Sequence, residues 1–217
     1  MIIVNFKTYK EASGENAVNL AVKLSDASKD LGTELIISPQ TVDLEKVIEK
    51  VDCPIWAQHA DPKEQGKTTG WDAPTSLKEV GAEGVLLNHS EHKLSVEELG
   101  EALSKSKAAG LKTLIFADTP DEALAVSKLK PDYIGYEPPE LIASADTSVA
   151  REEPEIIKKV IDELPDSKIL VGAGVKDSVD VQTSIKLGAV GVVLSSAIVL
   201  AEDPVLVLKD LAKGFNR

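Results

Sequence analysis

Short apolar runs alternate with longer amphipathic segments from one end of the chain to the other. The clearest apolar runs, at residues 35–37, 85–87, 114–116, 169–171 and 192–194, are continuous rather than interrupted by polar residues. Continuous runs of this kind are typical of parallel strands that are covered on both faces. The longer segments carry apolar residues at helical spacing, as in residues 15–31, where the pattern stops before Gly32.

Turn and cap residues divide this pattern into elements. We predict strands at residues 2–6, 34–38, 54–58, 84–88, 112–117, 132–136, 168–172 and 191–194. We predict helices at residues 15–31, 42–50, 77–80, 95–109, 120–128, 154–163, 178–187 and 204–213. Because the strand–helix units follow one another without a linker, the pattern favours a closed (β/α)8 TIM barrel, with residues 1–217 forming a single domain. An open doubly wound sheet is the alternative, but no Gly-x-Gly-x-x-Gly follows the first strand, which argues against a dinucleotide site.

Composition and charge exclude several classes of partner. The 217 residues carry a formal net charge of -12, which argues against nucleic acid and anionic membranes as partners. Cys53 is the single cysteine, so no disulfide can form within the chain. No apolar stretch approaches membrane-spanning length, and Lys7 interrupts the N-terminal apolar run too early for a signal peptide. We therefore expect a cytoplasmic protein.

The sixth predicted strand ends at a carboxylate. Glu137 is followed at once by Pro138 and Pro139, and a proline disfavours helical geometry in the residue before it. Glu137 is therefore held extended at the C-terminal end of its strand, where barrels place their active sites. A carboxylate presented in this way can act as a general base. The alternative is a strand-end glutamate that faces solvent.

The first and fourth predicted strands end in further polar residues. Alternation places Asn5 and Lys7 on the same side of the first strand, and His89 and Glu91 follow the fourth. Taken singly, Lys7 has the alternative interpretation of a surface lysine, and His89 that of a structural histidine. Their joint position at strand ends of one barrel favours a role in a site.

The last two predicted strands lead into glycine- and serine-rich turns. Gly172 and Gly174 follow the seventh strand, and Ser195 and Ser196 follow the eighth. Backbone N–H groups at two adjacent helix entries form the usual phosphate site of a barrel. The alternatives are a tight turn at the glycines and a helix N-cap at the serines.

Six short motifs together resemble the triosephosphate isomerase family, in particular its short archaeal form, and the resemblance extends over nearly the whole chain. The motifs occupy residues 5–9, 57–59, 86–91, 136–142, 172–174 and 194–196. The resemblance implies interconversion of glyceraldehyde 3-phosphate and dihydroxyacetone phosphate, without a cofactor, on the glycolytic and gluconeogenic route. It also implies a homo-oligomer, a dimer or a tetramer, and the loop at residues 59–73 with Trp71 is the expected contact.

The resemblance also implies a role for each site residue. Glu137 moves the proton between neighbouring carbons, His89 polarises the carbonyl oxygens as a neutral imidazole near a helix, and Lys7 stabilises the enediolate. Asn5 orients the substrate and Glu91 holds Lys7. Further substrate contacts are expected from Ile142, Gly174, Ser195 and Ser196. No metal is implied, since His59, His89, His92 and Cys53 do not have the spacing of a zinc site.

One segment departs from the family pattern. Where the family has a glycine-containing lid such as Gly-Thr-Gly, this chain has Ala143-Ser144-Ala145-Asp146. Alanine lacks the freedom of glycine at positive φ, and Asp146 adds negative charge near a dianion. An impaired barrel that only binds phosphorylated molecules is therefore one alternative. Another phosphate-binding barrel enzyme, such as a sugar-phosphate epimerase or an isomerase of amino-acid biosynthesis, is a second alternative.

Overall fold

The computed structural model describes residues 1–138 and 148–215, and in this part of the chain eight parallel strands form one sheet. They are β1 (Ile2–Asn5), β2 (Leu35–Ser38), β3 (Trp56–Ala57), β4 (Gly84–Leu87), β5 (Lys112–Ala117), β6 (Tyr133–Tyr136), β7 (Ile169–Val171) and β8 (Gly191–Leu194). Their order in the sheet is β2-β1-β8-β7-β6-β5-β4-β3. This order wraps the first strand next to the last, as a barrel requires.

The two ends of the sheet meet at a narrow seam between β2 and β3. A single parallel bridge joins Ile37 to Ile55, and the Ile37 N–H donates to the Pro54 carbonyl at 3.1 Å. Above that bridge, the side-chain amide of Gln58 donates to the Ser38 carbonyl at 3.0 Å and to the Lys7 carbonyl at 3.1 Å. The predicted (β/α)8 barrel is therefore confirmed, and a side chain completes part of its closure.

Helices follow the strands around the outside. They are α1 (Glu15–Leu31), α2 (Leu44–Ile48), α3 (Pro74–Glu79), α4 (Val96–Ala108), α5 (Pro120–Ser127), α6 (Val149–Glu152), α7 (Pro154–Glu163), α8 (Ser178–Leu187), α9 (Ser196–Val199) and α10 (Pro204–Lys213). Short 3-10 turns occur at Lys10–Ala12 and Thr41–Asp43. No helix in the described ranges is long and apolar enough to cross a bilayer.

Several predicted boundaries differ from the observed ones. The helix predicted at 42–50 is a 3-10 turn followed by the five-residue α2, and the helix predicted at 77–80 begins earlier, at Pro74. Proline suits the first turn of a helix because its missing N–H would be unpaired there anyway. The four-residue helices α6 and α9 were not predicted, because one turn is too short to show a helical period.

Side chains separate into two apolar layers. The barrel interior holds Ile3, Ile36, Trp56, Leu86, Leu114, Phe116, Leu170 and Val193, and the other strand residues pack outward against the helices. Gly135 points inward, and a Cβ there would lie 2.9 Å from the Phe116 ring. The missing side chain thus makes room for Phe116. The strand alternation then turns the next inward position, Glu137, towards the mouth of the barrel.

Candidate active site

A cavity of about 230 Å³ opens at the C-terminal ends of the strands. This volume lies below the range of roughly 300–1,000 Å³ that is usual for drug-sized ligands, so it suits a small metabolite. Its lining consists of Asn5, Lys7, Tyr9, His89, Glu137, Ala173, Gly174, Val175, Lys176, Val193, Leu194, Ser195, Ser196 and Ala197. The residues predicted at the ends of five different strands therefore meet around one cavity.

Glu137 is the buried carboxylate of this cavity, with 7% of its surface exposed. Its Oε1 accepts a hydrogen bond from the Ala173 N–H at 3.2 Å. Its Oε2 has no hydrogen-bond donor among the described residues, although His89 Nε2 lies 3.2 Å away in an orientation that is not that of a hydrogen bond. One carboxylate oxygen is therefore held in place, while the other is left available to accept a proton.

His89 has a defined tautomer. The Glu91 backbone N–H donates to His89 Nδ1 at 3.1 Å, so Nδ1 carries no proton and the neutral ring carries its proton on Nε2. The ring packs edge-on against Phe116, with centroids 4.8 Å apart. The helix α4 begins only at Val96, so this local turn, and not a side-chain contact to the helix, fixes the tautomer.

The orientation of His89 depends on the residue before it. Leu86 faces the barrel interior and Leu87 faces the helices, so uninterrupted alternation would turn His89 outward. Asn88 has φ 60, in the left-handed region, and this turn brings His89 onto Phe116 instead. The Asn88 side chain holds the turn, because its Nδ2 donates to the Phe116 carbonyl at 3.0 Å and its Oδ1 accepts from the Leu94 N–H at 3.2 Å.

Lys7 supplies a cation on the other side of the cavity. It also has a left-handed backbone, with φ 46, and its N–H donates to Asn5 Oδ1 at 2.9 Å. Its side chain is only 14% exposed, and Nζ lies 2.7 Å from Glu91 Oε1. The structure therefore brings Asn5, Lys7 and Glu91 together.

The end of the cavity formed by β7 and β8 offers backbone donors. The N–H groups of Gly174, Ser195 and Ser196 meet no acceptor within the described part of the chain. The Ser195 hydroxyl likewise has no partner there, and it makes no cap bond to α9. Unpaired donors that line a cavity form an anion site, and Lys176 adds a second cation to the same wall.

Two sequence predictions fall outside the described residues: the substrate contact of Ile142 and the altered segment at 143–146. Conversely, the structure adds residues that sequence reasoning did not select, namely Ala173, Lys176 and Gly172. Ala173 acts through its backbone N–H, which no side-chain pattern reveals. Gly172 was predicted as part of a phosphate site or of a tight turn, but a Cβ there would lie 2.3 Å from Glu137 Oε1, so the glycine is needed for the observed position of the carboxylate.

Comparison with known proteins decides the family. The model of the family described as triosephosphate isomerase matches residues 1–213. The chain belongs to the triosephosphate isomerase family. Its membership confirms the predicted resemblance and the predicted class of isomerase.

Several archaeal relatives carry the name triosephosphate isomerase. The protein of Methanobacterium bryantii is 38% identical over 215 residues, covering 97% of this chain and 95% of the relative. That of Saccharolobus solfataricus is 38% identical over 213 residues, covering 97% and 93%. That of Methanothermus fervidus is 36% identical over 215 residues, covering 97% and 96%. These relatives confirm the similarity to the archaeal form of triosephosphate isomerase, and neither they nor the family match favours the impaired barrel.

Proposed function

We propose that this chain interconverts D-glyceraldehyde 3-phosphate and dihydroxyacetone phosphate through an enediolate, and that Glu137, His89 and Lys7 carry out the chemistry. Membership of the triosephosphate isomerase family supports the reaction. The observation that carries the assignment of residues is the Oε2 of buried Glu137, which accepts no hydrogen bond from the described residues and lies 3.2 Å from the Nε2 of His89.

Glu137 is the base. Its Oε2 takes the proton from the carbon next to the carbonyl and returns it to the neighbouring carbon. Within the described residues Oε2 accepts no hydrogen bond and so stays available for the proton, while the Ala173 N–H on Oε1 keeps the group oriented. The reaction moves one proton between the two carbons and one proton between their two oxygens, and it needs no external oxidant or reductant, so a base and a proton donor suffice for it.

His89 and Lys7 stabilise the negative charge that develops on the oxygens. The Nε2–H of the neutral ring donates to the carbonyl oxygen, as is established for this enzyme family. Lys7 stabilises the enediolate by its charge and attracts the phosphate dianion into a molecule whose net charge is -12. Glu91 positions Lys7, and Asn5 holds the Lys7 backbone and orients the substrate.

The phosphate lies at the end of the cavity formed by β7 and β8. There the N–H groups of Gly174, Ser195 and Ser196 supply donors that have no competing acceptor in the described chain. Ile142, which lies outside the described residues, is a further substrate contact by family resemblance.

The chain acts as a single-domain protein in the cytoplasm and associates with copies of itself. Trp71 is 51% exposed and Val42 is 82% exposed, and the two lie beside the hydrogen bond that joins Thr41 to Asp72. Large apolar side chains that are exposed on two loops joined in this way support an interaction surface. This surface supports a homodimer or homotetramer that uses the loop at residues 59–73.

The test is an assay of the purified chain with glyceraldehyde 3-phosphate, in which the appearance of dihydroxyacetone phosphate is followed. A pentose phosphate serves as the control substrate, because an epimerase of the same fold would convert it. We expect conversion of the triose alone. A chain that leaves the triose unchanged, or that converts the pentose faster, would exclude the proposed reaction.

A further inference from the structure

A second buried carboxylate lies behind the wall of the cavity. Asp180, in α8, is 0% exposed. Its Oδ1 accepts from the Ser148 hydroxyl at 2.7 Å and lies 2.8 Å from Arg151 Nε, and its Oδ2 accepts from the Lys176 N–H at 2.9 Å. Burying a carboxylate is costly unless its oxygens are fully bonded, and here three donors satisfy both oxygens.

The donors to Asp180 come from two segments that meet at the cavity. Ser148 precedes Val149, whose N–H donates to the Ala173 carbonyl at 3.1 Å. Ala173 in turn donates its own N–H to Glu137 Oε1. A path of hydrogen bonds and backbone links therefore leads from Asp180, through residues 148–149 and the backbone N–H and C=O groups of Ala173 (together called the Ala173 peptide below), to the carboxylate of the base.

The Ala173 peptide needs this external support. Ala173 has φ 61, a left-handed conformation that is unfavourable for a residue with a Cβ. Such conformations persist only where the surrounding structure holds them. Val149 holds the peptide from its carbonyl side, and Asp180 fixes both the segment that carries Val149 and the turn that ends at Lys176.

We propose that Asp180 is a positioning residue for Glu137. It fixes the Ala173 peptide, and this peptide orients the carboxylate so that Oε2 faces the substrate. The inference rests on the proposed function, since it assigns Asp180 to the base of that reaction. A merely structural Asp180 would tie α8 to the segment at residues 148–152 without affecting the geometry of the base.

The test compares two substitutions of neighbouring aspartates that both contact Arg151. Asp180→Asn keeps the size of the side chain but replaces one acceptor oxygen by an NH2 group, which then faces a donor. Asp177 Oδ2 also lies 2.5 Å from Arg151 Nη2, but within the described residues Asp177 bonds neither to the Ser148 hydroxyl nor to the Lys176 N–H, both of which donate to Asp180. Asp177→Asn is therefore the matched control, and asparagine also preserves the N-cap of α8.

We expect Asp180→Asn to lower kcat by between about tenfold and about a hundredfold, as small displacements of a catalytic group do, with a much smaller change in KM. The Ala173 amide should exchange its hydrogen with solvent faster than in the parent. Asp177→Asn should keep the parent kcat and the parent exchange rate. Ser148→Ala, which removes one bond and is mild enough to fold, should change both quantities in the same direction as Asp180→Asn, by less.

Equal kcat in Asp180→Asn and Asp177→Asn would overturn the proposal, as would an unchanged Ala173 exchange rate. If Asp180→Asn does not fold, Ser148→Ala is the test instead. A Ser148→Ala variant with the parent kcat and the parent exchange rate at the Ala173 amide would reject the positioning role of Asp180. Hydrogen exchange requires no catalysis. A parent without isomerase activity would thus refute the proposed function, while the exchange rates would still decide whether Asp180 positions the Ala173 peptide.

Discussion

At the scale of single residues, the candidate site is built on unusual backbone conformations. Lys7, Asn88 and Ala173 all have positive φ, and each directly follows or lies close beyond a strand whose C-terminal end faces the cavity. A left-handed conformation costs a residue with a Cβ about 1–2 kcal/mol. Each of these three turns aims a donor or a side chain at the cavity, so the strain is located where the proposed chemistry needs it.

Glu137→Gln should keep the fold and lower kcat by about two to four orders of magnitude, as expected for loss of a general base. Glutamine has the same shape and can still accept from the Ala173 N–H, but it cannot take up the proton. Steady-state kinetics measures the loss, and circular dichroism checks the fold. A variant with a kcat close to that of the parent would remove Glu137 from this role.

Lys7→Met tests whether Lys7 acts through its charge. Methionine keeps most of the length of the stem and deletes the ammonium, so turnover and the affinity for phosphoglycolate, a mimic of the enediolate, should both fall. Lys7→Arg should recover part of each, because it restores the charge. If Lys7→Met binds phosphoglycolate and turns over substrate as well as the parent does, the electrostatic role of Lys7 is wrong.

Gly172→Ala should displace the base. The added Cβ would lie 2.3 Å from Glu137 Oε1, so the carboxylate must move, and we expect kcat to fall by about tenfold to a hundredfold. Gly100→Ala is the control, since a Cβ at that position in α4 has open space and should stabilise the helix by roughly 0.5–1 kcal/mol. Equal kcat in the two variants would show that Glu137 tolerates the Cβ.

At the scale of elements, the sequence predicts long helices better than short ones. Helices α1, α8 and α10 begin and end at the predicted residues, because each carries several turns of apolar period and a clear cap or stop signal. Helices α6 and α9 show no such period, although α6 contains Val149 and Arg151, which hold the Ala173 peptide and Asp180. The side chains of the site were predictable from their strand ends, whereas supports made by backbone N–H groups were not.

The loop after β4 depends on an ionised carboxylate in α5. Glu122 accepts from the Asp118 N–H at 2.8 Å, from Asn88 Nδ2 at 2.8 Å and from Lys93 Nζ at 2.9 Å. Burial raises the pKa of Glu122, but these hydrogen bonds, first that from the Asp118 N–H, outweigh it and hold the pKa below its usual value. Ionised Glu122 therefore stabilises the loop that carries His89.

The sign of the pH dependence follows from the lowered pKa. A carboxylate with a lower pKa in the folded state stabilises the protein above its unfolded pKa, about 4.3, and the contribution is lost as pH falls through the folded pKa. Glu122→Gln should therefore reduce the free energy of unfolding at about pH 7 and make little difference in strong acid. Urea denaturation of the parent and of Glu122→Gln, from strong acid to about pH 7, measures this difference in the free energy of unfolding. A difference that is the same at every pH would contradict the role of ionised Glu122.

At the scale of the whole molecule, the exposed tryptophan at residue 71 is the feature to explain. Lys63 Nζ lies 4.7 Å from the centroid of its ring, but half of the side chain remains exposed. We expect light scattering at micromolar concentration to show a dimer or a larger assembly. Trp71→Glu should shift the association equilibrium towards the monomer. Leu206→Glu is the control, since Leu206 is 63% exposed on α10, a helix that packs against α1, α8 and α9. A parent that is monomeric at these concentrations would contradict the proposed association.

The seam between β2 and β3 has a further consequence for how the barrel can fluctuate. The proposed catalytic and phosphate-binding groups follow β1, β4, β6, β7 and β8, which are contiguous in the sheet apart from the intervening β5. Neither strand that borders the seam supplies one of them. Opening of the barrel between β2 and β3 would therefore break few backbone hydrogen bonds. The five strands that carry the groups would stay in register during such an opening. Gln58 bonds both to Ser38 across the seam and to Lys7 beside the cavity. An opening of the seam would therefore displace Lys7 first among the catalytic residues, through Gln58.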